Sequence, residues 1–136
     1  MVIKKISVFG NPDLKSDSLP LGILPRLQKK FPEIEFLVED PNELNLPASD
    51  TWIIVDTVAG IKQVQLLAPE NIKSFAKSRV SMHDFDLKTH LFWIKKIKKN
   101  LKIKIIGIPP MISEKLALKE ASNIIATLFP ENGRRN

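Results

Sequence analysis

The chain has 136 residues, 21 of them Lys or Arg and 15 Asp or Glu, for a formal charge of +6, and it contains no cysteine. That length fits one domain of roughly 100–150 residues, and the missing cysteines exclude disulfides, thiolate metal sites and a cysteine nucleophile. No apolar run reaches the ~20 residues of a membrane helix, so no membrane partner is expected.

Lysines interrupt the opening Met-Val-Ile-Lys-Lys-Ile, which therefore lacks the apolar core of a signal peptide, and a cytoplasmic location is expected. Ile3 to Phe9 reads as a β-branched strand, stopped by the turn former Gly10-Asn11-Pro12. From about Leu21 to Phe31 apolar residues recur at helical spacing (Ile23, Leu24, Leu27, Phe31), and Pro32 ends the run. Pro25 suits a first turn best, so a start later than the pattern is expected. Ile34 to Val38 predicts a second strand with Ile34, Phe36 and Val38 on one face, followed by the breaker Asp40-Pro41-Asn42.

Thr51 to Val55 is a continuous apolar run ending in Asp56, the pattern of a fully buried parallel strand. Val64 to Leu67 is a weaker strand. A brief helix is predicted near Pro69 to Lys77, and a longer one from Asp86 to about Asn100. The longer one has Leu87, Leu91, Ile94, Ile97 and Leu101 as its apolar face and lysines gathered at its carboxyl end. Lys102 to Ile108 is a further strand, closed by Pro109-Pro110, and Ile112 to Phe129 a last helix offering Leu116, Ala121, Ile124, Ile125 and Leu128 to the core. Residues 131–136 read as a frayed tail. Alternating strands and helices predict an α/β fold, a three-layer α/β/α domain over residues 1–136 around a mostly parallel twisted sheet of about five strands.

Lys95, Lys96, Lys98, Lys99, Lys102 and Lys104 carry much of the charge excess. Their interleaving with Ile94, Ile97, Leu101, Ile103 and Ile105 reads as the solvated face of a helix and strand, and a nucleic-acid partner is not expected. His90 reads as a half-buried packing residue, Asp84 and Asp86 as helix-start residues, Asp13 as a turn residue, and Trp52 and Trp93 as core aromatics.

In open α/β sheets, ligands bind beyond the carboxyl ends of the strands. Three loops there deliver Asp17, Asp56 and His83, whose oxygen and nitrogen donors suit zinc, nickel or manganese if they converge. An Asp at a strand end is as often a turn or cap residue.

Val8-Phe9-Gly10-Asn11, with Asp17 six residues after the Asn, resembles the opening motif of the nickel–iron hydrogenase maturation endopeptidases. Val55-Asp56-Thr57 with Gly60 is similar to the Val-Asp-Ala element of that family, Ser81-Met82-His83-Asp84 to its His element, and Gly107-Ile108-Pro109-Pro110 to its Gly-Ile-Glu/Gln-Pro strand end. The order agrees from about residue 3 to residue 128. The chain departs at Val8 (family Gly), Ser16 (acidic), Ser18 and Pro20 (Gly), and at Glu39-Asp40-Pro41-Asn42 in place of an Asp-Gly-Gly-Thr turn.

The resemblance implies an aspartic-type, metal-dependent endopeptidase that removes the C-terminal extension of a hydrogenase large-subunit precursor. In that scheme Asp17, Asp56 and His83 act as both catalytic residues and metal ligands, and Gly10 and Asn11 position substrate. The nickel would arrive on the precursor, with zinc or cadmium able to substitute in a crystal. Two alternatives stay open. One is a degenerate, non-catalytic relative that binds a precursor. The other is a peptidyl-tRNA hydrolase-like enzyme, because Phe9-Gly10-Asn11-Pro12 resembles that opening too, although no His follows in Leu19-Pro20-Leu21-Gly22.

Overall fold

Five strands assemble into one sheet in the order β2-β1-β3-β5-β4. They are β1 (Lys4–Val8), β2 (Ile34–Val38), β3 (Thr51–Thr57), β4 (Gln65–Leu67) and β5 (Lys102–Ile108). The computed structural model describes residues 4–39, 49–71, 91 and 94–130. β2, β1, β3 and β5 run parallel, and only the edge strand β4 is antiparallel. The expected α/β architecture is therefore observed. Among the described residues no helix is long and apolar enough to cross a membrane.

Alternation along β3 decides which residues meet which layer, because neighbouring side chains of a strand face opposite ways. Ile53 and Val55 join Ile6, Val8, Ile106 and Ile108 in one apolar layer, which α1 (Leu19–Lys30) and α2 (Glu114–Leu128) cover. Trp52 and Ile54 join Phe9, Ile103 and Ile105 on the other face, packed with Leu91, Ile94 and Leu101. A strand buried on both faces has to be a near-continuous apolar run, and the Trp-Ile-Ile-Val of β3 is one.

The helix ends follow local chemistry. Ser113 caps α2: its hydroxyl accepts from the Leu116 amide at 3.1 Å, and Glu114 sits in the first turn, where the dipole favours a negative charge. α1 begins at Leu19, before the apolar pattern at Leu21 and so contrary to the later start expected from Pro25, with Pro20 in its first turn and Pro25 inside it. An interior proline costs about 3 kcal/mol through a lost hydrogen bond and a steric clash. Burial of Ile23, Leu24 and Leu27 against the sheet offsets that cost.

Three residues of the predicted apolar faces are exposed. Val38 is 60% exposed, as the last residue of an edge strand. Leu116 is 42% exposed, off the buried α2 stripe of Ala117, Ala121 and Ile125. Ile97 is 68% exposed, because each three-residue step from Leu91 through Ile94 falls about 60° short of a full turn. Residues 98–100 then leave the helix earlier than the predicted end near Asn100, and the Lys95 ammonium donates to the Leu101 carbonyl at 2.7 Å. Of the segment predicted near Pro69 to Lys77, Pro69–Asn71 forms a 3-10 turn and the rest lies outside the described residues.

Trp52 is buried as expected and is anchored by a polar relay from β3 through β1 to the residue that follows β2. Its indole N–H donates to the Ser7 hydroxyl at 2.8 Å, and Ser7 donates to the Glu39 carboxylate at 2.5 Å. Ser7→Ala leaves the indole N–H buried without an acceptor, a loss of about 1–3 kcal/mol. Urea unfolding monitored by tryptophan fluorescence should show that loss; an unchanged midpoint would contradict the relay's role.

Candidate functional site

Strand order reverses between β1 and β3: the chain moves outward from β1 to β2, then returns to the opposite side of β1 for β3. In open α/β sheets such a reversal is where ligands bind, beyond the carboxyl ends of the strands. Asp17 and Asp56 are both delivered to this edge.

Asp56 is the sixth residue of β3 and lies opposite Gly107 on β5. On the β1 side the ladder continues one step past Val8, where the Phe9 amide donates to the Val55 carbonyl at 2.9 Å. Flanked on both sides, Asp56 is fully buried. One of its oxygens, Oδ1, accepts from the Thr57 amide at 2.8 Å, which fixes the carboxylate against the strand end. Gly107 leaves room opposite it: a Cβ there would come within 2.9 Å of a Val58 methyl and 3.1 Å of Leu67, so those side chains would have to shift.

Asp17 closes a 3-10 turn (Lys15–Asp17) between β1 and α1 and is 2% exposed. The turn packs against β3. Its shape follows from two backbone bonds: the Asn11 amide donates to the Asp17 carbonyl at 2.8 Å, and the Asp17 amide to the Leu14 carbonyl at 2.9 Å. Gly10 permits this closure, because a Cβ there would sit 3.1 Å from the Asp17 carbonyl oxygen and 3.2 Å from Leu21. The Asn11 side chain accepts from the Asp13 amide at 2.9 Å, an Asx turn that bears out Asp13 as a turn residue. Gly10 and Asn11 thus have observed duties within the loop, apart from any role toward substrate.

His83 lies outside the described residues, as do His90, Asp84, Asp86 and Trp93. Among the described residues no three His, Cys, Asp or Glu side chains form a group able to hold a metal ion. Asp17 and Asp56 nevertheless suit a divalent cation as hard oxygen donors, and placing two carboxylates out of water is costly unless cations or hydrogen bonds compensate them. Sequence reasoning missed Thr57. Its side chain is buried beside the same strand end, and only its place one residue beyond Asp56 pointed to it.

No protein-family model and no curated protein matches the chain. Two solved structures share its fold. One is a NiFe hydrogenase maturation protease, HycI, from Thermococcus kodakarensis KOD1, at 16% identity over 92% of this chain and 91% of that one, with a TM-score of 0.56. The other is an uncharacterized protein from Wolinella succinogenes, at 14% identity over 99% and 100%, with a TM-score of 0.52. At such identities the likeness establishes the fold.

Proposed function

We propose that this chain is a hydrogenase maturation endopeptidase. It removes the C-terminal extension of a large-subunit precursor once nickel is in place, and Asp17, Asp56 and His83 meet the nickel that the precursor carries. The observation that supports this reading is that two carboxylates from separate elements, Asp17 and Asp56, are buried near the carboxyl ends of the strands where strand order reverses. Likeness of fold to HycI supports it over most of both chains.

The chemistry asks little else of the protein. A divalent ion polarises a peptide carbonyl and lowers the pKa of a bound water, so neither a serine nor a cysteine nucleophile is needed. The chain's task is to orient the ion through Asp17 and Asp56, the latter pinned by the Thr57 amide. Two carboxylates and one imidazole leave coordination positions for the precursor's own groups and a water.

Incubation with nickel-loaded precursor should yield a shortened product in intact-mass spectrometry, and nickel-free precursor should stay full length. Full-length precursor in both samples would reject cleavage. Near-complete enclosure of both carboxylates, at 2% and 0% exposure, favours one second reading, a relative that binds the precursor without cutting it. That reading predicts co-elution with the precursor and no change in its mass.

A further inference from the structure

β3 ends on a hydroxyl that no described residue uses. Thr57 is fully buried, and its Oγ1 has no hydrogen-bond partner among the described residues. Its backbone amide is engaged by the Asp56 carboxylate, and the next amide, that of Val58, donates to the Ile108 carbonyl at 2.9 Å. The strand end is therefore well secured without the side chain. A buried hydroxyl without a partner has given up its bonds to water for no return. Valine has nearly the same shape, no such penalty and a high strand preference, and Ile53, Ile54 and Val55 show that β3 otherwise selects such residues.

Position gives the hydroxyl a purpose. Thr57 follows Ile53 and Val55 in the alternation and so points toward the α1 side of the sheet, while Asp56 points to the other. The turn carrying Asp17 runs directly toward α1 and packs on β3. Thr57 and the turn carrying Asp17 thus both lie against the carboxyl end of β3, where Asp56 is also held.

We infer that the Thr57 hydroxyl is a substrate-side positioning group, held without a partner in the free protein and donating a hydrogen bond to an oxygen around the bound cation, either a water or a peptide carbonyl of the precursor. The inference rests on the function proposed above and adds a fourth residue to its site. It also assigns a reason for a threonine where the resembled family has alanine.

The test compares Thr57→Val, Thr57→Ser and the control Ser122→Ala, whose buried hydroxyl in α2 also lacks a partner among the described residues. Melting of the free protein should show Thr57→Val and Ser122→Ala at or above the wild-type Tm, because each removes an unsatisfied group. Cadmium titration and the KM for nickel-loaded precursor then read the site. Thr57→Val should weaken one or both by about tenfold, Thr57→Ser should restore wild-type values, and Ser122→Ala should change neither. Weakening with cadmium alone assigns a water as the acceptor, and weakening with precursor only assigns the carbonyl. A lowered Tm for free Thr57→Val with unchanged ligand binding makes the hydroxyl structural and overturns the inference alone. Wild-type protein that binds neither cadmium nor precursor overturns the parent reading and this one together.

Discussion

Asp56→Asn is expected to cut processing of a nickel-loaded precursor by at least about 100-fold while leaving the fold intact. The substitution is nearly isosteric, and the Asn carbonyl can still accept the 2.8 Å bond from the Thr57 amide. What it removes is the negative charge, and with it most of the attraction for a divalent ion. Asp17→Asn should behave alike, because its turn is built from backbone bonds and from the close approach at Gly10, neither of which needs the carboxylate. Rates from single-turnover cleavage, beside circular-dichroism melts, separate chemistry from folding. Either variant retaining rates within about threefold of wild type would remove that carboxylate from the mechanism.

The largest stability effect is expected at Ile125. This residue is fully buried in α2, on a stripe with Ala117 and Ala121 that packs over the sheet. Ile125→Ala removes side-chain volume from a close-packed layer and should cost about 2–5 kcal/mol. Against a typical total stability of about 5–15 kcal/mol, that is a large fraction. Leu116→Ala, on the same helix, should cost well under 1 kcal/mol, because Leu116 is 42% exposed. Chemical denaturation of the two variants under one set of conditions provides the comparison. Equal losses would mean that α2 presents a different face to the sheet.

That pair also marks where local pattern stops being informative. Leu116 and Ile125 both satisfy helical periodicity, and periodicity alone assigned both to the core. Spacing defines an apolar arc but not which edge of the arc the sheet covers. Ile97 failed in the same way, its drift around the helix carrying it out from under the layer that holds Leu91 and Ile94. The start of α1 is a different kind of difference. Proline's local cost argued for a later start, and tertiary burial of Ile23, Leu24 and Leu27 outweighed it.

The amino-acid sequence by itself determined the α/β class and the central place of β3, because a strand buried on both faces can only be a continuous apolar run. It also marked Asp56 as the polar residue ending that run and Asp17 as the acid in the first connection. Only the tertiary structure decided that the turn carrying Asp17 packs against the strand that ends in Asp56, since this depends on strand order, and strand order is set by long-range pairing that no local pattern encodes. The same holds for the Trp52–Ser7–Glu39 relay, whose three residues lie on β3, on β1 and just beyond β2. It holds too for Thr57, which became notable only once packing had enclosed its hydroxyl without a partner among the described residues.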